Sequence, residues 1–202
     1  MLSNIEKVKK LIPGFVLILL SLNPELLAQK ATSGVFLSAD DFVKNKISFA
    51  NTKTMSAYKI HLHKLVSIFT IKIVHGDSVV KLRKETIFGY RDSKMNDFRI
   101  VHGQEYKIQE NKSLVIYSAN QRVYFGGGHM QSSIMVPVYY FSLGPEGKIQ
   151  PLTIPALKKA FPDNLKFHDL LDVEFGDGAA ISDFNREQNM FQVNFLFKKS
   201  NS

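Results

Sequence analysis

Short segments in which apolar and polar residues alternate, separated by turn signals, constrain the fold of this chain more than any other feature. In residues 57–62 apolar side chains recur at every second position, which is typical of a strand with one buried and one solvated face. Residues 66–74 are almost continuously apolar and end at the turn signal of residues 75–78, which indicates a central strand followed by a hairpin. Strands of this kind continue to residue 142 at spacings of roughly 8 to 12 residues, and they predict an antiparallel meander or a small barrel-like sheet.

Two positions in these strands carry more specific expectations. Gly89 is expected to bend the chain away after a return strand. In the aromatic run 139–141, strand alternation puts Tyr139 and Phe141 on one face of the sheet and Tyr140 on the other. Packing on both faces explains such a run, whereas an exposed Tyr140 could stack on a sugar ring or a partner.

The pattern becomes helical after Pro151. Thr153 is expected to cap a first helix that Pro162 ends, because a threonine side chain can accept a hydrogen bond from a free amide of the first turn. Asp163 is expected to cap a second helix, which ends at the glycines of residues 176–178. Two helices therefore follow the strands.

The last segment and the domain boundaries follow from the same reading. Residues 190–197 fit both helical spacing and strand alternation, and we favour the helix. The fold class is therefore α+β: a single domain over residues 29–202, with a β-rich part (34–145) followed by a helical part (151–198). Two or three C-terminal helices are expected to pack on the sheet.

The N-terminal 28 residues have the order of a secretory signal peptide. Lysines within residues 7–10 precede an apolar stretch at 11–22, and small Ala28 marks the expected cleavage site. The apolar stretch is about 12 residues, whereas a membrane-spanning helix needs about 20, so no stable membrane span is expected after cleavage. We predict a periplasmic or secreted protein, and a buried N-terminal helix is the alternative.

Composition excludes several classes of function and suggests a class of partner. The chain has no cysteine, so disulfides, thiolate nucleophiles and cysteine metal sites are excluded. The formal net charge is +8, and cleavage after Ala28 would leave +7. For an exported protein this charge indicates an anionic envelope component or another exported protein rather than nucleic acid, but a solvated basic surface is the favoured interpretation.

Three stretches of the chain carry a family resemblance. They are residues 87–92 with 96–99, residues 139–142, and residues 157–172. Together they resemble a family of uncharacterised exported proteins from bacteria of the Bacteroidetes type, over most of the chain that follows residue 28. The resemblance implies export and the structural class, and it implies no activity.

The densest cluster of polar and aromatic residues surrounds a predicted turn. Paired opposite charges there either fix the turn or contact a ligand. A second candidate is the glycine-rich loop at residues 126–129, whose tip could act in recognition. The candidate ligand-binding residues are Tyr90, Arg91, Asp92, Asp97, Arg99 and His129.

Two weaker constellations involve histidine. His61 and His63 lie two apart on a predicted strand and would project from one face, as metal ligands often do, but the pair lacks a third ligand. His168 and Asp172 lie four apart on a predicted helix, where a carboxylate could orient a catalytic base. Polar surface positions are the favoured interpretation of both pairs.

No complete catalytic constellation accompanies these residues. Gly-x-Ser-x-Gly is absent, and the glycine run at 126–128 lacks the ending of a phosphate-binding loop. The sequence indicates no cofactor. We therefore expect an exported, non-catalytic binding or scaffolding module of the cell envelope; the alternatives are a periplasmic hydrolase with histidine and aspartate chemistry, or a weak metal-binding protein.

Overall fold

The computed structural model describes residues 33–52, 57–61, 69–126, 132–176 and 178–202. The predicted signal peptide, His63 and His129 lie outside these ranges. The helices are α1 (Ala39–Val43), α2 (Ile154–Ala160), α3 (Leu165–Phe175) and α4 (Gln192–Ser200). The strands are β1 (Ser33–Phe36), β2 (Ser48–Asn51), β3 (Lys59–His61), β4 (Thr70–His75), β5 (Ser78–Arg83), β6 (Gly89–Arg91), β7 (Asp97–Val101), β8 (Gln104–Asn111), β9 (Val115–Phe125), β10 (Ser132–Ser142), β11 (Gln150–Pro151), β12 (Phe184–Asn185) and β13 (Met190–Phe191). The predicted α+β class with a strand-rich body is confirmed.

Most strands belong to one antiparallel sheet with the order β11-β10-β9-β8-β7-β6-β1-β2. From β6 to β11 each strand pairs with the next strand along the chain, so this part is a meander. β1 pairs with β6 and β2 and extends the sheet on the other side. A second sheet has the order β3-β4-β5, and β12 pairs with β13.

The helices cover one end of the large sheet. Ile116 of β9 and Phe141 of β10 are fully buried against Leu157, Leu171 and Val193 of the three C-terminal helices. Burial of such apolar side chains is the main source of stability for this layer, at roughly 1.5–3 kcal/mol for each.

One buried polar group fixes the position of α4. The side chain of Asn194 donates to Glu110 Oε2 at 2.6 Å and to the Leu114 carbonyl at 3.0 Å, and it accepts from the Leu114 amide at 2.8 Å. Glu110 reaches Asn194 because the register of β8 and β9 shifts between Ile108 and Glu110. The extra residue of this bulge turns Glu110 to the face of Ile116.

The small sheet covers the other end of the same face. Ile71 and Ile73 of β4 pack in one cluster with Val35, Tyr90 and Ile100 of the large sheet. Tyr90 and Ile116 project from the same face of the large sheet. The register shows this, because residues that lie opposite each other on paired strands project to the same side. The small sheet and the helices therefore lie side by side on that face.

Several local predictions are confirmed. Residues 76–77 form the turn of the β4–β5 hairpin, and the Thr153 hydroxyl accepts from the amide of Ala156 at the start of α2. Tyr139 contacts Phe191, which belongs to the core under the helices, whereas Tyr140 contacts Tyr106. The aromatic run thus divides between the two faces as alternation predicts.

Three other predictions are corrected. Asn164, not Asp163, caps α3, since its side chain accepts from the Phe167 amide at 3.0 Å. Residues 190–197 are not all helix, because β13 precedes α4. Gly89 does not bend the chain away: it lies in β6, where a Cβ would collide with the carbonyl oxygen of Phe98. Glycine is needed there for the close approach of β6 and β7.

No helix in the described part of the chain is both long enough and apolar enough to cross a membrane.

Candidate functional site

The turn at residues 92–96 joins β6 to β7 and is held by Asp92. Its carboxylate accepts from the backbone amides of Lys94 and Asn96 at 2.9 and 2.8 Å, and from the Asn96 side chain at 2.9 Å. An aspartate that satisfies backbone donors in this way is a common means of fixing a tight turn. The contacts of Asp92 within the protein are therefore structural.

Arg91 and Asp97 face each other across β6 and β7, next to this turn. The guanidinium donates twice to the carboxylate, from Nε at 2.6 Å and from Nη2 at 2.9 Å, and it lies over the ring of Phe36. Both partners are mostly buried, and Nη1 of Arg91 is a buried donor without a hydrogen-bond partner in the described part. The ion pair with Asp97 and the contact with Phe36 therefore hold Arg91 within the protein.

Arg99 connects the sheet to the loop after β10. Its guanidinium donates to the Tyr117 hydroxyl at 3.1 Å and to the carbonyls of Gly147 and Glu146 at 2.8 and 3.3 Å. The guanidinium also lies over the ring of Phe88. Charge-assisted bonds of this kind order a loop, so Arg99 holds residues 143–147 against the sheet.

Tyr90 lies on the opposite face of the sheet from these two arginines. Its ring is 1 % exposed, and its hydroxyl donates to Glu105, which also pairs with Lys84 at 2.6 Å. Burial, and next the hydrogen bond to Glu105, raise the pKa of Tyr90 well above its usual value of 10.0. Because strand alternation sends Tyr90 to one face and Arg91 and Arg99 to the other, these candidates do not line one cleft.

A cavity of about 470 Å³ lies beside the turn, on the face of Tyr90. Of the described members of the sequence-predicted ligand set, only Asp92 lines it. The other lining residues are mostly polar and come from the turn and from β7, β8 and β9: Ser93, Lys94, Asn96, Phe98, Glu105, Lys107, Ser118, Ala119 and Asn120.

Neither described histidine candidate, His61 or His168, lines this cavity. The Nε2 atom of His168 lies 2.8 Å from the carbonyl oxygen of Phe161, whereas Asp172 pairs with Lys158 at 2.6 Å. His61 lies on β3 opposite Lys72, and His63 and His129 are outside the described ranges. Within those ranges no three histidine or acidic side chains come together as a metal site would require.

The outer part of the β9–β10 hairpin is the most unusual surface. We call residues 120–125 of β9 and 132–137 of β10 the β-arm. β8 pairs with β9 only up to Ser118, and β11 pairs with β10 only at Tyr140 and Phe141. No other described strand continues alongside the β-arm, which extends about 20 Å by the rise of a strand.

The β-arm exposes large apolar side chains. Five of them are between 44 % (Val123) and 59 % (Tyr124) exposed: Val123, Tyr124, Phe125, Ile134 and Met135. Val123 lies directly opposite Ile134, and Phe125 follows on the same face. Sequence analysis selected only the loop between these strands. The sequence feature that points to the β-arm is the near absence of charge, since Arg122 is the single charged residue of residues 119–138.

Comparison of the chain with protein-family models, with curated proteins and with solved structures finds no match.

Proposed function

We propose that this protein is an exported, non-catalytic binding or scaffolding module that binds a protein partner through the β-arm. The exposed apolar surface of the β-arm carries the proposal. Contiguous apolar surface on a folded domain marks interaction sites, because leaving such surface in water is unfavourable. On the β-arm, Val123, Phe125 and Ile134 share one exposed face of the ribbon, and Tyr124 and Met135 share the other.

The open edge of β9 supports a particular mode of binding. Beyond Ser118 the outer edge of β9 has no paired strand in the described part of the chain. An unpaired edge is a template for an added strand, in which main-chain hydrogen bonds give affinity and alternate side chains give selectivity. β10 is the less suitable edge, because Pro137 lacks an amide hydrogen. The partner therefore supplies an extended segment with alternating apolar residues.

The contacts of the polar candidates support a non-catalytic role. His168 lies against the Phe161 carbonyl and Asp172 pairs with Lys158, so the two side chains contact different groups. In the predicted hydrolase the carboxylate would instead have to lie within hydrogen-bond reach of the histidine base. The charged residues around the β6–β7 turn likewise form hydrogen bonds with groups of this chain itself. A binding role uses the protein surface and requires no such constellation.

Export rests on the order of basic, apolar and small residues in the first 28 positions. Its test is the N-terminal sequence of the protein recovered from the periplasm of an expressing Gram-negative host. The expected first residue lies at or within a few positions of Gln29. Recovery of a chain that begins at Met1 from the cytoplasm would contradict export.

The binding proposal is tested by photo-crosslinking in the producing cells. A photoreactive amino acid replaces Tyr124 in the β-arm or, as the control, Val173 on α3, which is 80 % exposed. We expect one adduct of defined mass from position 124 and none from position 173. Once identified, the partner is purified and its affinity for the chain is measured by titration.

A pair of variants links the adduct to the apolar surface. Val123→Lys with Ile134→Lys should abolish the adduct at position 124 and weaken the purified partner's affinity at least tenfold, because two charges then face an apolar segment. Equal adducts from positions 124 and 173, or unchanged affinity of the double variant, would contradict the proposal. An adduct of twice the chain's own mass would show that the partner is a second copy of this chain, and would contradict binding to a different protein.

A further inference from the structure

The outward face of the small sheet is basic. Register places Ile60, Ile71, Ile73 and Leu82 on the inner face, toward the large sheet, so the residues between them project outward. The outward positions hold Lys59 and His61 of β3, Lys72 of β4, and Lys81 and Arg83 of β5, together with Thr70, Val74 and Val79. No outward position of these three strands is acidic. We call this the basic face.

The cations of the basic face have little compensation within the protein. Arg83 pairs with Glu85, but Lys59, Lys72 and Lys81 form no ion pair with a described residue. Lys72 and Lys81 lie directly opposite each other, with His61 next in the same row. Like charges opposed across a sheet destabilise it, so an anion over this row would relieve the repulsion.

The arrangement of these charges is two-dimensional. Neighbouring strands lie about 4.8 Å apart, and successive outward residues of one strand lie about 6.7 Å apart, so the charges spread over an area rather than along a line. Lysine ammonium groups on flexible stems act as point charges that suit many phosphate positions, in contrast to the planar fork of arginine. An extended anionic surface matches this array better than one small anion or a single linear chain.

We infer that the basic face docks the protein on a membrane surface of anionic phospholipid. Juxtaposed lysines are attracted to such a surface without entering a pocket, and the attraction falls off within a Debye length. The basic face belongs to β3–β5 and the β-arm to β9–β10, so membrane docking does not depend on the proposed partner binding.

The test is sedimentation of the full chain with phospholipid vesicles at low salt. Vesicles of phosphatidylcholine alone are compared with vesicles that contain about one third phosphatidylglycerol. We expect the anionic vesicles to bind the protein more tightly, and we expect the difference to vanish in half-molar salt, where the Debye length is only a few ångströms. Equal binding to both vesicle types at low salt would overturn the inference.

A charge-matched pair of variants locates the effect. Lys59→Gln, Lys72→Gln and Lys81→Gln together should lower the partition onto anionic vesicles about 100-fold, since each lysine near such a surface contributes roughly fivefold. The control changes Lys148, Lys159 and Lys166 to Gln, which gives the same net charge at exposed positions elsewhere. Both triple variants keep residues 1–28, so any lipid affinity of that segment cancels in the comparison.

The outcomes separate a lipid surface from other polyanions. A selective loss in the first triple variant supports the inference, and equal losses in both triple variants overturn it. Preferential binding to a soluble acidic polysaccharide, with no partition onto anionic vesicles, also overturns it. If the first triple variant fails to fold, Lys81→Gln alone should lower the partition onto anionic vesicles about fivefold, and an equal loss in Lys148→Gln alone would overturn the inference.

Discussion

The two halves of the β9–β10 hairpin have the same pairing and opposite surroundings. Register is continuous from Val115 opposite Ser142 to Phe125 opposite Ser132. In the inner half, residues 115–119 are all buried, whereas every β9 residue beyond them is exposed. Strand pairing satisfies the backbone in both halves, but only a covering layer removes side chains from water. A paired strand is therefore not by itself part of a core.

The covering layers explain where the change occurs. α2–α4 pack on the inner half of the hairpin, and the loop after β10 covers the opposite face through Arg99. No described element packs on the outer half. The exposed apolar residues there do not belong to the core, which is the reason to assign them to a partner.

The largest expected effect compares one phenylalanine from each half. Phe141→Ala should lower the free energy of unfolding by about 3–5 kcal/mol, because it leaves a cavity under the helices. Phe125→Ala, on the β-arm, should change it by less than about 0.5 kcal/mol. Urea denaturation measures both values. Similar losses for the two variants would show that the β-arm is covered within the chain itself.

A smaller effect is expected from the buried hydrogen bonds that attach α4. Asn194→Ala leaves the Leu114 amide and a Glu110 oxygen without this partner, and should cost about 2–3 kcal/mol. Gln121→Ala is the matched control at the exposed end of the hairpin, where the side chain donates to Tyr140. We expect less than about 0.5 kcal/mol for the control, since water can replace that bond. Thermal unfolding of the two variants should differ accordingly, and equal Tm values would contradict this account of α4.

The elements that sequence analysis predicted correctly depend on local signals. The turn at residues 76–77 and the cap at Thr153 each require only neighbouring residues. Local signals were less exact where two good candidates adjoin: Asp163 and Asn164 can both cap a helix, and the start of α3 at Leu165 selects the second. Gly89 shows the same limit, since its role depends on the approach of β7 and not on its own segment.

The arrangement of the candidate site could not be predicted in this way. The polar cluster from Tyr90 to Arg99 is compact in sequence, yet β6 and β7 divide it between two faces, and Arg99 bonds to a loop 48 residues away. β1 reaches its place beside β6 through pairing over more than 50 residues. The β-arm was missed because an alternating apolar strand has the same pattern whether a layer covers it or not.

A moderate, pH-dependent effect is expected at the end of the sheet that β3–β5 cover. Tyr90→Phe removes a hydrogen bond to Glu105 and should cost about 1–1.5 kcal/mol at pH 8. The raised pKa of Tyr90 means that the unfolded chain ionises first, so the native state of the unmodified protein loses stability as the pH rises above 10.0. The advantage of the unmodified protein over the variant should therefore shrink in alkaline solution. Denaturant midpoints between pH 8 and 11 measure it, and a gap that stays constant would contradict the burial assigned to Tyr90.

The smallest expected effect on stability is the most informative about the β-arm. Val123→Thr with Ile134→Thr keeps β-branched side chains on an opposed pair of the hairpin, so the free energy of unfolding should change by less than about 0.5 kcal/mol. The same double variant should be retained less on a hydrophobic-interaction column, because two exposed apolar groups have become polar. Val173→Thr on α3 is the control for an isolated exposed apolar residue, and its retention should change less. A destabilisation of about 2 kcal/mol in the double variant would mean that part of this chain already packs on the β-arm, and the binding surface would then have to be sought elsewhere.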